Sequence, residues 1–530
     1  MEQPLTYLRQ RAGEDWLIGY DSHEFHCLTE QLFQELTQFS QGGTTPKIGV
    51  SKKRCRGARR GDTETRRRGE LLKSHVKFRS PPKILLAEEN PLRFLAAFLA
   101  AVAANCSVFL CNPHWVEWEW QQVLDLVQPD LIFGANKVES RSQELGVRSQ
   151  ESGLIFIPTG GSSGKIRFAA HSWQTLMASV AGFHQYFEQK PINSFCVLPL
   201  YHVSGLMQFL RSLTTGGRIV IMPFKALTNQ GRRQEAGGRR QESKLKFLPN
   251  KKAFVFEGSS LRVSEECNIN TREFFLSLVP TQLARLMNLD ASSWLSCFRT
   301  VLLGGAPPWN SLLEQARLYN IPLAPTYGMT ETASGVVTLK PEAFLRGNNS
   351  NGAVLPHAVV TIRTATGEIL DANQTGMITI QADSLALGYY AEREALNPQS
   401  LMSNFPTDDL GFLDEQGYLH IIGRHSNKII TGGENVFPAE VEAAIQATQL
   451  VTDVCVIGVP DSDWGQVVTA IYVPCSLTVS PRILEAAIED KLSKYKRPKH
   501  WISATTLQRN AQGKVNYEQL QEMVNGCLTI

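Results

Sequence analysis

Residues 154–165 read Leu-Ile-Phe-Ile-Pro-Thr-Gly-Gly-Ser-Ser-Gly-Lys, a short apolar run joined to a run of small and hydroxylated residues that ends in a cation. The first part, LIFIP, is short, apolar and bounded by small residues, as expected for a buried strand. The second part suits an anion. Small residues let backbone N–H groups approach closely, the hydroxyls of Thr159, Ser162 and Ser163 add donors, and Lys165 adds positive charge. The Walker pattern GxxxxGK[ST] does not fit, because Thr159 stands where its first glycine belongs. Ile166 also follows the lysine, where a hydroxyl should hold magnesium. A phosphate loop of another kind, built on Thr159, Gly160, Gly161, Ser162, Ser163, Gly164 and Lys165, is favoured over a plain flexible turn.

Outward from this loop, apolar runs at 195–200 (FCVLPL), 218–222 (RIVIM) and 300–303 (TVLL) read as strands. Helical patterns at 172–187 and 309–318 lie between them, and the alternation predicts α/β layers with largely parallel sheets. From about 350 the texture changes to strands with turns: VVTIRT, GMITIQA, GYLHIIGR. A helix at 438–447, opened by Pro438, the runs VCVIGVP and VVTAIYVP, and a helix at 481–494 then suggest a small α+β unit. The expected organisation is a large N-terminal domain of layered sheets and helices, 1–423, and a small C-terminal domain, 424–530. Three stretches look inserted: about 41–80, 139–153 with RSQELGV and RSQESGL in tandem, and 228–246 with RRQEAGG and RRQESKL. Two seven-residue units without an apolar seam cannot make a coiled coil, so these read as surface loops, where added length costs little closure entropy.

Charge narrows the function. Segment 51–79 carries 12 Lys and Arg against 3 acidic residues, a local +9 on a chain whose net charge is +3, so the remainder is mildly acidic. A basic body for nucleic acid is absent, although that one segment could contact phosphates; it holds one aromatic, Phe78, and no base-reading motif. The 10 cysteines are scattered without a CxxC pair, which predicts free thiols in a reducing compartment, the cytoplasm. The N-terminus lacks a signal-peptide layout. Residues 92–111 approach the ~20 apolar residues of a membrane span, but Arg93 and an Asn-Cys-Ser break predict a buried helix followed by a buried strand.

The loop TGGSSGKIR resembles the phosphate loop of the adenylate-forming superfamily, which includes acyl- and aryl-CoA ligases, and five further signatures lie downstream in the family's order. PTYGMTET at 325–332 matches Y-G-x-T-E; the resemblance implies that Tyr327 stacks on adenine beside Gly328, that Thr330 contacts the α-phosphate and that Glu331 helps hold magnesium. Gly304, Gly305 and Ala306 match the strand end bordering adenine. Thr407-Asp408-Asp409 resembles T-G-D with Asp408 replacing glycine, which makes Asp409 the acceptor for the ribose hydroxyls. In GRHSNKIITGGENVFPAEVE, Arg424 would contact the nucleotide, Ser426 occupies the hinge position, and Gly432 and Gly433 would line the pantetheine path. QRNAQGK at 508–514 resembles P-R-N-x-x-G-K, with Gln508 in place of Pro, and makes Lys514 the adenylation lysine. Together they imply a mobile small domain, and ATP, Mg2+ and coenzyme A as co-substrates and cofactor.

PLYHVSGL at 199–206 resembles the P-L-[FY]-H-x-S-G segment of o-succinylbenzoate–CoA ligases of menaquinone and phylloquinone biosynthesis, with Arg211 nine residues past the histidine. His202, at a strand end, is expected to act in the acid pocket with Ser204 and Gly328. Arg211 is either the cation for the acid's second carboxylate or an ordinary surface arginine. Three alternatives stay open at this point: another acyl- or aryl-CoA ligase, a nucleic-acid-binding protein using 51–79, and an inactive homologue serving as a binding module.

Overall fold

The computed structural model describes residues 2–41, 82–134, 153–160, 166–188, 190–228, 245–246, 253–257, 260–263, 267–390, 404–425, 427–431, 434–461, 464–507, 515, 520–521 and 523–524. Helix Pro91–Ala103 shows how local chemistry sets an element. The Asn90 side chain accepts the Arg93 backbone N–H, and Pro91, which has no N–H to leave unpaired, opens the first turn. After a break at Asn105, where φ is +57°, strand Ser107–Leu110 is buried throughout. The apolar stretch at 92–111 is therefore a core helix and a core strand. No helix among the described residues is long and apolar enough to cross a membrane.

That strand belongs to a six-stranded sheet ordered Gly388–Tyr389, Ile166–His171, Ile155–Gly160, Ser107–Leu110, Lys83–Leu86, Leu131–Phe133. Phe109 and Phe156 stack within it at 4.2 Å. Strand Ile155–Gly160 runs two residues further than LIFIP predicts and pairs antiparallel with Ile166–His171, Thr159 opposite Arg167 and Gly160 opposite Ile166. The phosphate-loop sequence thus lies between the two arms of a hairpin and not at a helix N-terminus. This antiparallel pair departs from the largely parallel arrangement expected.

A second sheet is twelve-stranded among the described residues. Leu17–Ile18, Ile219–Ile221, Asn193–Cys196, Phe274–Leu278, Thr300–Leu303 and Leu323–Met329 are parallel; Ser334–Thr338, Gly352–Val354, Tyr418–Arg424, Phe405–Leu413, Gly376–Ala382 and Ala358–Arg363 continue it antiparallel. The chain switches from parallel to antiparallel pairing at residues 329–334, where the Y-G-M-T-E-T sequence sits. Helices Trp173–Tyr186 and Asn310–Leu318 fall within the ranges predicted.

The C-terminal unit is a five-stranded sheet, Glu434–Val436, Ile429–Thr431, Gly465–Pro474, Val451–Asp461 and His500–Ser503. Helices Pro438–Gln446 and Pro481–Ile488 pack on it through their own core of Val441, Ile445, Leu484, Ile488, Val456 and Tyr472. The second helix is shorter than the predicted 481–494: it ends at Ile488, a turn follows at 489–491, and a 3₁₀ turn spans Lys494–Lys496.

The insertion at 41–80 falls almost wholly outside the described residues, as does its basic segment, 51–79, and so do most of 139–153 and 228–246. The last of these ends in strand Leu245–Lys246, which starts a four-stranded antiparallel sheet with Ala253–Glu257, Ser260–Val263 and Cys267–Asn270. No strands are predicted there from sequence: the apolar run FVF is short and only LRV alternates.

Candidate active site

The turn between strands Leu323–Met329 and Ser334–Thr338 gathers several of the predicted groups. The two strands approach so closely at a bulge that a Cβ on Gly328 would lie 2.1 Å from the Ser334 carbonyl oxygen, so only glycine fits. Residues Thr330–Thr332 form a 3₁₀ turn capped by Ala333 at φ +50°. This presents consecutive side chains and carbonyls to three neighbouring elements.

Tyr327 turns inward, and its Oη donates to Asp409 Oδ2 at 2.7 Å. Asp409 stands opposite Arg424 in the ladder between Phe405–Leu413 and Tyr418–Arg424, and Arg424 Nε donates to Asp409 Oδ1 at 3.3 Å. The Asp409 carboxylate is 8% exposed by residue, while the Arg424 side chain is 51% exposed and extends past it. Burial first, and the Asp409 charge second, push the Tyr327 phenol well above its ordinary pKa, so it remains a donor. Thr407 Oγ1 accepts the Asp409 N–H at 3.1 Å, which accounts for the threonine of the T-D-D sequence. Asp408 is exposed, and its carbonyl accepts the His425 N–H at 2.7 Å.

Glu331 is buried. Its Oε1 accepts from Tyr389 Oη at 2.7 Å and, more weakly, from Thr159 Oγ1 at 3.4 Å. Thr159 thereby joins the end of the phosphate-loop strand to the Y-G-M-T-E-T turn across 172 residues of chain. The Thr330 carbonyl accepts a hydrogen bond from His171 Nε2 at 2.8 Å, and Nδ1 lies 3.0 Å from Thr175 Oγ1. A carbonyl can only accept, so Nε2 carries a proton. Burial holds the His171 pKa down at about 4. Neither Tyr389 nor His171 was singled out from sequence, and nothing in a single chain distinguishes them from core residues.

Gly304 and Gly305 leave strand Thr300–Leu303, with Gly305 at φ +83°, and a Cβ on Gly304 would stand 3.1 Å from the Thr326 carbonyl. Gly304 therefore borders the backbone beside Tyr327, while Gly305 faces the Val279 side chain. On the acid side, His202 caps helix Val203–Thr214 without a side-chain capping bond, and its ring lies 4.4 Å from that of Tyr201. Ser204 is exposed, and its carbonyl accepts Gln208 Nε2 at 2.8 Å.

Arg211, about two and a half turns along, is 4% exposed and no surface residue. Its Nη2 donates to Ser334 Oγ at 3.2 Å and its guanidinium lies 3.8 Å over the Phe183 ring. Among the described residues its Nε has no hydrogen-bond partner and no carboxylate pairs with it. Burial depresses its pKa to about 9. Helix Val203–Thr214 thus reaches the same hairpin as the nucleotide-side groups. Gly161, Ser162, Ser163, Gly164, Lys165, Ser426, Gly432, Gly433 and Lys514 lie outside the described residues; Gly160 ends its strand.

No group of three or more His, Cys, Asp or Glu that could hold a metal occurs among the described residues. A lone carboxylate fits Mg2+ all the same. That ion commonly takes one or two carboxylates together with substrate phosphates and water, and Glu331 Oε2 accepts no hydrogen bond among the described residues.

Comparison with known proteins agrees with this assembly. The family model described as AMP-binding enzyme matches residues 268–390, and the one described as AMP-binding enzyme C-terminal domain matches 440–514. A 2-succinylbenzoate–CoA ligase of Oceanobacillus iheyensis is 31% identical over 394 residues, covering 72% of this chain and 73% of that protein. The chain belongs to the AMP-binding enzymes. Membership carries the adenylate-forming fold expected from sequence, and solved structures agree. The o-succinylbenzoate CoA synthetase of Bacillus subtilis in complex with its acyl-adenylate intermediate superposes with a TM-score of 0.70, covering 97% of each chain at 23% identity. The same synthetase with ATP and magnesium ion gives 0.67 over 97% of this chain and 99% of that one, at 22% identity.

Proposed function

We propose that this AMP-binding enzyme is an acid–thiol ligase that joins a carboxylic acid to AMP and then to the thiol of coenzyme A. The acid is 2-succinylbenzoate and the product is 2-succinylbenzoyl-CoA, an intermediate of menaquinone or phylloquinone biosynthesis. A carboxylate is a poor electrophile at neutral pH, and the mixed anhydride with AMP supplies a good leaving group. In the first step a carboxylate must approach an α-phosphate of like charge, so cationic and hydrogen-bonding groups have to stand around both.

Tyr327 and the backbone at Gly304, Gly305 and Ala306 would receive adenine, Asp409 the ribose hydroxyls, and Arg424 and Thr330 the phosphate side. Residues 159–165 would hold the departing pyrophosphate. Lys514 would neutralise charge between acid and phosphate. Glu331 would hold the Mg2+, which when bound offsets phosphate charge. In the second step the thiol would arrive past Gly432 and Gly433 after the unit at 424–530 turns about Ser426 relative to 1–423.

The observation that carries the choice of acid is Arg211, a buried cation for which the described residues provide no anion. A buried charge is costly unless paired, and 2-succinylbenzoate has a second carboxylate to pair it while His202 and Ser204 border the first. A monocarboxylic acid would leave the guanidinium unpaired. Cys27, Cys106, Cys111, Cys196, Cys297, Cys455 and Cys475 are free thiols, which supports a reducing, cytoplasmic setting. The test is a panel of aromatic and fatty acids with ATP, Mg2+ and coenzyme A, followed by AMP release. Turnover is expected with 2-succinylbenzoate; an inert 2-succinylbenzoate beside an active fatty acid would remove the acid assignment and leave the ligase chemistry standing.

A further inference from the structure

The hydrogen bond between Tyr389 and Glu331 divides the labour of one carboxylate. Oε1 takes the Tyr389 hydroxyl at 2.7 Å and Thr159 Oγ1 at 3.4 Å, while Oε2 accepts nothing among the described residues. A donor on an ionised oxygen makes a short, strong, directional bond. The terminal torsion of a glutamate is otherwise broad, so an undirected carboxylate samples many orientations. We propose that Tyr389 is a positioning residue for the magnesium-binding carboxylate: it fixes Glu331 through Oε1 so that Oε2 faces the metal–nucleotide. This rests on the reading of Glu331 as the metal carboxylate.

The segment carrying Tyr389 is built to hold that position. Strand Gly388–Tyr389 pairs with Ile166–His171, Gly388 opposite Ala170 and Tyr389 opposite Ala169. The Leu387 and Tyr390 N–H groups donate to the Ala170 and Phe168 carbonyls at 2.7 and 2.9 Å. One residue earlier, the Ala386 N–H donates to the Glu331 backbone carbonyl at 2.7 Å. The same short segment therefore grips both the backbone and the side chain of Glu331. Arg167 lies 4.0 Å over the Tyr389 ring and packs against it.

The choice of a phenol has a charge rationale. A lysine or arginine on Oε1 would orient the carboxylate equally well but would cancel the charge that attracts a cation. A neutral hydroxyl orients it and leaves the full negative charge in place, and the Arg167 cation is kept one ring away. Partners that orient metal ligands typically contribute 10–100-fold to metal affinity.

Tyr389→Phe keeps the ring and its stacking and removes only the donor. Two readouts test it: Mn2+ binding to the enzyme with a non-hydrolysable ATP analogue, from the electron-spin resonance signal of free Mn2+, and the Mg2+ dependence of ATP–pyrophosphate exchange. The dissociation constant for Mn2+ and the half-saturating Mg2+ should each rise about 10-fold, with exchange at saturating Mg2+ changed less than about twofold. Glu331→Gln should weaken Mn2+ binding more, and adding Tyr389→Phe to it should weaken binding no further, since the two act as one unit. An unchanged Mn2+ constant in Tyr389→Phe, or a loss of exchange equal at every Mg2+ concentration, overturns the inference while Glu331 keeps its role. Wild-type Mn2+ binding in Glu331→Gln overturns the reading of Glu331 and this inference with it.

Discussion

Replacing Arg211 by Met should make the ligand-free protein more stable and the enzyme worse. Burial alone lowers the guanidinium pKa from 12.5 to about 9, a penalty on the charged form of about 5 kcal/mol. The structure returns part of it. The Phe183 ring at 3.8 Å contributes about 2 kcal/mol in a desolvated setting, and the bond to Ser334 Oγ about 1.5 kcal/mol. What is left is on the order of 1–2 kcal/mol against the cation, within the range seen when buried charges are exchanged for apolar groups of similar volume.

The sign follows from linkage. The folded pKa lies below the unfolded one, so at neutral pH both states carry the proton and the penalty is present in full. It fades only as pH rises from about 9 towards 12.5. Thermal unfolding at pH 7–8 should thus show a higher first transition for Arg211→Met. Adding 2-succinylbenzoate should raise the wild-type transition and move that of the variant much less. The Michaelis constant for the diacid should rise at least about tenfold, the loss of one charge-assisted bond of about 1.5–3 kcal/mol, with that for ATP unchanged. A variant less stable than wild type and with an unaltered constant for the diacid would show that Arg211 is a packing residue.

Lys514→Ala should lose adenylation, measured by acid-dependent ATP–pyrophosphate exchange, yet still convert supplied acyl-adenylate to thioester; equal loss in both half-reactions would contradict its assignment. His171 is held at about 4 against an ordinary 6.5 by burial, so stability should fall as pH drops from about 6.5 to about 4, when the unfolded chain takes up a proton that the folded one refuses. The expected cost is about 3 kcal/mol, and denaturant melts of His171→Gln should lack that part of the slope. Gly328→Ala would drive a methyl group to within 2.1 Å of the Ser334 carbonyl; a drop in soluble yield or in nucleotide binding is expected, and wild-type ATP affinity would mean that the hairpin opens at little cost.

The fold was legible wherever burial and period agree. Residues 92–111 resolved correctly into helix and strand because Asn105 takes a left-handed conformation that ends one and starts the other. The antiparallel hairpin at the phosphate loop was not legible, since residues chosen for close backbone approach to an anion serve equally for a reversal. Tyr327, Asp409, Arg424, Glu331 and Thr159 come from the family resemblance, and the structure joins them in two groups, Tyr327–Asp409–Arg424 and Glu331–Thr159. What local patterns cannot supply is who holds whom: Tyr389 reaches Glu331 across 58 positions and His171 reaches Thr330 across 159. Those bonds depend on two sheets meeting at one turn, a property of the whole chain. Arg211 could not be assigned to surface or interior from its own helix; its burial comes from packing against Phe183 and the Ser334 hairpin.

The two carboxylates of the site follow one rule. Ionised Asp409 offers about four lone-pair directions, and in the free protein Tyr327 takes one on Oδ2 and Arg424 one on Oδ1. One direction per oxygen remains, so in the proposed role of Asp409 a pair of ribose hydroxyls would add without breaking either bond. Glu331 likewise gives Oε1 to protein donors and keeps Oε2 for the ligand side. In each case the protein's own donors fix the orientation and the spare acceptors receive the ligand, so little reorganisation remains to oppose binding. Removing the Tyr327 hydroxyl should therefore weaken ATP by loosening Asp409 even though that hydroxyl is committed to the protein.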